Sequence, residues 1–148
     1  MKSLKNICII PAKGYSERLP KKNILLLGDK PLVGYTIECA QQTGLFDRII
    51  VSTESEEVAE VIREYGADIP YIRPQLLAEN TKGVPDVCID VLLHLGKSMG
   101  ETYETLFILL PTSPFRKPEY IIEAYEKFCS SPNDILMSFK QSSGYDTI

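Results

Sequence analysis

Short, continuously apolar runs alternate along this chain with longer stretches in which apolar residues recur every three or four positions. The first pattern marks strands buried on both faces, the second amphipathic helices. Ile7 to Pro11 is the first buried run, followed by a loop from Ala12 to Asn23. Pro31 opens a helix running to about Thr43, with Leu32, Val33, Thr36, Ile37 and Ala40 on its inner side and Gly44 as its stop. Arg48 to Ser52 predicts the second strand, and Thr53 with Glu56 has the spacing of a capping box for the next helix. That helix turns Val58, Ala59, Val61, Ile62 and Tyr65 inward and ends at Gly66. A short extended piece at Tyr71 to Arg73 follows, closed by Pro74.

The clearest helical period is Val84, Val87, Cys88, Val91, Leu92 and Leu95, with Pro85 in the first turn. Leu106 to Leu110 reads as another buried strand, cut by Pro111. Pro118 starts a helix with Ile121, Ala124, Tyr125 and Phe128 on its inner face, and Ile135 to Phe139 reads as a last strand before a polar loop. Strands separated by single helices run parallel. The predicted fold class is therefore α/β: a three-layer α/β/α sandwich with a mostly parallel, doubly wound sheet, formed by residues 1–148 as one domain. Ligands of such sheets bind beyond the carboxyl ends of the strands. The loops to examine follow the first strand, the Tyr71 piece and the Leu106 strand.

Composition narrows the picture. At 148 residues, 44% hydrophobic and 24% charged, the chain can bury a sizeable core and carries no sign of disorder. Its net charge of −4 argues against nucleic acid or an anionic membrane as partner, so an anion site must be a local basic patch. Cys8, Cys39, Cys88 and Cys129 form no CxxC pair, and each lies in an apolar stretch. They read as buried free thiols of a reducing compartment. The single histidine, His94, falls on a predicted helix and reads as a surface or half-buried residue rather than a base or ligand. Met1 to Asn6 is polar and the following apolar run is too short for a signal core or a membrane span, so a soluble, cytoplasmic protein is expected.

The loop after the first strand, PAKGYSERLPKKN, sets Lys13, Arg18, Lys21 and Lys22 against one acid, Glu17. An acidic protein has thus gathered positive charge at the ligand edge of its sheet. Gly14 permits a tight turn and a bare amide, Ser16 adds a hydroxyl, and Pro20 stiffens the exit. Amides and lysine point charges are the parts of a triphosphate cradle. Neither a Walker A loop nor a GxGxxG fingerprint is present. A solvated basic loop with no ligand is the plainer alternative.

These residues resemble the signature Pro-Ala-Arg-Gly-Gly-Ser-Lys-x-x-Pro-x-Lys-Asn of the acylneuraminate cytidylyltransferases, matching at Pro11, Ala12, Gly14, Ser16, Pro20, Lys22 and Asn23. Lys13 stands where that family usually has arginine, and Glu17 where it often has lysine. Ile72-Arg73-Pro74 with Leu77-Ala78-Glu79-Asn80-Thr81 resembles the family's Arg-Pro…Leu-Ala-x-Asp-Thr segment, and Leu110-Pro111-Thr112-Ser113-Pro114-Phe115-Arg116 its Gln-Pro-Thr-Ser-Pro-Leu-Arg. Leu110 replaces the glutamine.

The resemblance covers the chain in order, as the N-terminal, nucleotide-binding half of the family. It implies transfer of CMP from CTP to a nine-carbon 2-keto acid sugar (sialic acid or a relative), with release of pyrophosphate. Lys13 and Lys22 would hold the phosphates as the catalytic cations. Ala12, Gly14 and Ser16 would line the loop, and Asn23, Arg73 and Asn80 would contact the nucleotide. Thr112 and Ser113 would line the cleft. For Arg73, pairing with a nearby acid is the alternative. Mg²⁺ is the implied cofactor, CTP and an acidic sugar the partners, and full-length relatives are expected to be homodimers. The family's metal-holding Asp-x-Asp pair lies late in longer chains and has no match here, so the chain reads as truncated relative to the family. A catalytically incomplete nucleotide-binding fragment and a Kdo-type sugar cytidylyltransferase are the alternatives.

Overall fold

A computed structural model describes residues 2–75 and 83–139. Strand β1 (Lys2–Pro11) leads through a 3-10 turn (Lys22–Ile24) to a small antiparallel hairpin of β2 (Leu26–Leu27) and β3 (Lys30–Pro31). Helix α1 (Leu32–Thr43), strand β4 (Arg48–Ser52), helix α2 (Glu56–Arg63), helix α3 (Val84–Met99), strand β5 (Glu101–Ile108) and helix α4 (Pro118–Ser130) follow. The main sheet has the order β4–β1–β5, parallel throughout, with Ile9 opposite Ile50 on one side and Ile108 on the other. Successive strands are laid to one side of β1 and then to the other, as a doubly wound sheet requires.

The alternation of β1 side chains makes the layers. Cys8 and Ile10 point into a core shared with Val33 and Ile37 of α1, Val58 and Ile62 of α2, and Ile121 of α4. Ile7 and Ile9 point the other way, against Cys88, Val91 and Leu95 of α3. Three β1 isoleucines are fully buried, each contributing roughly 1.5–3 kcal/mol of transfer free energy. α1 ends as its sequence indicates: Gly44 takes φ 65° and its N–H reaches the Gln41 carbonyl at 3.3 Å.

Several expectations shift. β1 begins at Lys2, not Ile7, and β5 at Glu101, not Leu106, because Lys2–Leu4 and Glu101–Tyr103 pair through their backbones, which needs no apolar side chain. The N-cap of α2 is Ser55, whose hydroxyl accepts the Val58 N–H at 3.3 Å, rather than Thr53. Thr53 is fully buried and its hydroxyl accepts the Ser55 N–H. The β-bridge beside β4 lies at Asp68, paired with Ile50, and the Tyr71 to Arg73 piece forms no strand but bonds to the chain after β4 through the Arg73 N–H and the Thr53 carbonyl.

Ile135 to Phe139 is not a strand. Ile135 and Phe139 are 77% and 85% exposed, and among the described residues the segment pairs with neither edge of the β4–β1–β5 sheet. Ala124, Tyr125 and Phe128 of α4 are only half-buried, Tyr125 stacking on Phe107 of β5 with ring centroids 5.4 Å apart. Cys8, Cys39 and Cys88 are buried free thiols, but Cys129 is exposed on α4. His94 is half-buried and stacks on Tyr71 with ring centroids 3.9 Å apart. Among the described residues no helix is long and apolar enough to cross a membrane.

The amino edge of the sheet is locked by charge. Arg48 donates from Nε and Nη2 to the two Glu101 oxygens, each at 2.8 Å, and from Nη1 to Asp68 at 2.7 Å. The Tyr103 hydroxyl donates to Glu101 at 2.6 Å. The Arg48 hydrogen bonds, followed by that of Tyr103, hold the Glu101 carboxyl down at about 2, against an ordinary 4.5. A depressed carboxyl pKa contributes stability that is complete above the ordinary value and lost as pH falls through the folded one. Denaturant melts taken from pH 5 to pH 2 are expected to show this loss in the wild type and a flatter profile in Glu101→Gln. At neutral pH that variant should be about 2 kcal/mol less stable.

Candidate functional site

β1 is the central strand, so the chain leaving its carboxyl end starts from the middle of the ligand edge. Pairing continues past Pro11: the buried Ala12 donates its N–H to the Ser52 carbonyl at 2.8 Å. The loop then bends over β4's carboxyl end. Asn23 is buried in the 3-10 turn, and its side-chain amide donates to the Lys13 carbonyl at 2.8 Å, drawing the loop's exit onto its entry. Lys13, Ser16 and Lys22 are half-buried and Arg18 is exposed. Lys21 takes the left-handed φ of 54° and pairs with Glu57 of α2 at 3.0 Å.

Glu54, which no motif in the sequence singles out, organises this region. Its side chain is 4% exposed, directly beyond β4. Oε1 accepts the Gly14 N–H at 2.6 Å and the Tyr15 N–H at 3.2 Å. Oε2 lies 3.3 Å from Nη2 of Arg73, whose side chain is 3% exposed. Arg73 is also held through its backbone, its N–H donating to the Thr53 carbonyl at 2.9 Å. The Gly14 amide expected to meet a phosphate therefore meets a carboxylate of the protein itself. The need for glycine is spatial: a Cβ there would lie 2.5 Å from Ser55 Cβ and 2.9 Å from its Oγ. The available signal was positional, an acid placed directly after a buried parallel strand at the ligand edge.

Arg73 thus pairs with a nearby acid, and that acid is bonded to the basic loop, so the two predicted halves of the site meet. Burial pushes the Arg73 guanidinium below its ordinary value while Glu54 opposes the shift. Its Nε and Nη1 are buried and have no hydrogen-bond acceptor among the described residues. Buried donors in this state are costly unless something supplies an acceptor. Thr112 and Ser113 are exposed on the turn after β5, where the Ser113 N–H reaches the Leu110 carbonyl at 3.3 Å. That turn leaves the sheet next to the loop, since Leu109 N–H donates to the Ile9 carbonyl of β1. Asn80 lies outside the described residues.

Among the described residues no three His, Cys, Asp or Glu side chains are grouped to hold a metal ion. Magnesium is usually held by one or two carboxylates together with substrate phosphates. Glu54, the acid bonded to the loop, already serves two amides and Arg73. The described residues thus present no ready-made protein cage for Mg²⁺.

A sequence profile of the cytidylyltransferase family matches residues 7–142. The chain belongs to that family. It is 42% identical over 120 residues to the CMP-N,N'-diacetyllegionaminic acid synthase of Legionella pneumophila, taking in 81% of this chain and 51% of that protein. It is 36% identical over 135 residues to the pseudaminic acid cytidylyltransferase of Campylobacter jejuni, covering 91% of this chain and 58% of the relative. The chain spans about half the length of these curated relatives. Among solved structures, CMP:2-keto-3-deoxy-manno-octonic acid synthetase complexed with CTP shares the fold, with a TM-score of 0.67 at 21% identity over 87% of this chain and 49% of that one. The cytidylyltransferase match runs from within β1 past α4, so it contains the basic loop, Glu54, Arg73 and the Thr112–Ser113 turn.

Gly14→Ala should cost about 1–3 kcal/mol in chemical denaturation through overpacking against Ser55. Adding Ser55→Gly removes the opposing Cβ and keeps an acceptable N-cap, so the double variant should recover most of that loss. Equal destabilisation of single and double variants would exclude the steric account.

Proposed function

We propose that this protein transfers CMP from CTP to the anomeric hydroxyl of a nine-carbon 2-keto acid sugar, sialic acid or a relative, releasing pyrophosphate. The observation that carries the reading is the linkage of the cationic loop to the buried Arg73 through Glu54, at the carboxyl edge of a parallel sheet. The relatives support the class of sugar, being named for N,N'-diacetyllegionaminic, pseudaminic and N-acylneuraminic acids.

The chemistry is a displacement at phosphorus. The sugar hydroxyl oxygen forms a bond to the α-phosphorus as the bond from that phosphorus to the bridging oxygen breaks. The electron pair leaves on pyrophosphate, and the hydroxyl proton passes to water. Such transfers depend on alignment and charge neutralisation rather than on a covalent nucleophile. Lys13 and Lys22 are the cations proposed to offset the triphosphate charge, with Ser16 of the same loop as a further hydroxyl donor. The Nε and Nη1 donors of Arg73, which meet no acceptor among the described residues, suit the carbonyl and ring-nitrogen acceptors of cytosine. Asn23 acts at one remove, holding the Lys13 carbonyl and hence the loop. Thr112 and Ser113 offer hydroxyls on the neighbouring turn for the sugar. Mg²⁺ belongs to the proposal as a companion of the triphosphate.

A second reading, nucleotide binding without turnover, is favoured by one observation: among the described residues no acidic cluster is available for a metal. Calorimetric titration with CTP, ATP and GTP, with and without Mg²⁺, separates the two, alongside a pyrophosphate-release assay with sialic acid. CTP is expected to bind in preference to the purine nucleotides and more tightly with Mg²⁺, with pyrophosphate released when the sugar is added, whereas weak binding that ignores the metal would favour the second reading. Lys22→Glu should weaken CTP about tenfold or more, as a reversed charge near the phosphates demands. Unchanged CTP affinity in that variant would remove Lys22 from the site, and robust turnover would remove the second reading.

A further inference from the structure

The carboxyl end of β4 touches both sides of the site with three consecutive residues. The Ser52 carbonyl takes the Ala12 N–H, the Thr53 carbonyl takes the Arg73 N–H, and the Glu54 side chain takes Gly14, Tyr15 and Arg73 together. The two Glu54 oxygens divide the work: Oε1 serves the loop and Oε2 serves the guanidinium. We propose that Glu54 is a positioning residue that sets the separation between the cationic loop and Arg73, so that a nucleotide can be held by its phosphates at one and its base at the other. This rests on the reading of the site as one for CTP.

Physical chemistry favours a spacer over any contact with the substrate. A carboxylate exposed to a triphosphate would repel it. Here both oxygens already face N–H donors, and the side chain is almost wholly buried. Arg73 in turn needs a partner, because an unpaired buried guanidinium is strongly unfavourable. Glu54 binds it through Nη2 and leaves Nε and Nη1 without acceptors among the described residues. One side of the guanidinium is thus fixed by the protein while donors remain for a ligand. The loop amides contribute no phosphate contact at Gly14 and Tyr15. Their task is to hold the loop at a set distance from β4.

Two substitutions divide the two functions. Glu54→Gln retains an oxygen for the Gly14 and Tyr15 amides but turns an NH₂ group towards Arg73. Glu54→Ala removes both attachments. Circular dichroism and thermal melts establish that each variant is folded, and calorimetry then measures CTP and inorganic triphosphate on each. For Glu54→Gln, CTP should bind about tenfold more weakly while triphosphate stays within about twofold of wild type. For Glu54→Ala, both ligands should weaken by about tenfold or more.

Wild-type affinity for CTP in both variants would overturn the proposal. So would equal weakening of both ligands by Glu54→Gln, which is the mark of a residue that only supports the fold. Wild-type protein that binds triphosphate but not CTP would sink the nucleotide reading instead. A selective loss of triphosphate in Glu54→Ala would then still support the loop half of the proposal.

Discussion

The structure depends on β1 being hydrogen-bonded on both sides. A strand paired to β4 and β5 must be apolar on both faces, and Ile7, Cys8, Ile9 and Ile10 are all fully buried. That one constraint sets the three layers, because alternate side chains must each find helices to cover them. It also places the following loop at the centre of the carboxyl edge, flanked by the chain leaving β4 and the chain leaving β5. The charges of Lys13, Arg18, Lys21 and Lys22 acquire their meaning from this placement. The same residues on an outer strand would be a solvated surface.

The two ends of the sheet use ion pairs for different purposes. At the amino edge Arg48 is matched in full: each of its three nitrogens has an oxygen within 2.8 Å, and Tyr103 completes the Glu101 carboxylate. Such saturation favours rigidity. At the carboxyl edge Arg73 is deeply buried, yet among the described residues it has an acceptor at one nitrogen, Glu54 at 3.3 Å. An incompletely satisfied buried pair weakens a fold in isolation. It is expected where the remaining donors serve something other than stability, and departures from local optimality concentrate at functional sites.

Much of this was legible in the sequence. The helices at Leu32, Val84 and Pro118 and the strand at Arg48 follow from periodicity and from proline and glycine punctuation. The cores formed by Val33 and Ile37 and by Cys88, Val91 and Leu95 follow from the same pattern. The motifs at Pro11, Arg73 and Pro111 pointed to the family whose profile the chain matches. What failed did so for want of a partner. Ile135–Phe139 has a strand's composition, but a strand exists only when another backbone accepts its hydrogen bonds. Lys2–Leu4 lacks that composition and is nonetheless paired.

The sequence by itself determined the order and type of the four helices and of the three strands of the main sheet among the described residues, and the gathering of cations after the first strand, because these are set by side chains near one another along the chain. Only the tertiary structure decided that Glu54 holds Gly14 and Tyr15 with one oxygen and Arg73 with the other. Those contacts join residues 19 to 40 positions apart. Their geometry comes from the parallel register of β1 and β4, which brings Pro11 beside Ser52. No local pattern encodes that register, since it is fixed by the packing of both sheet faces at once.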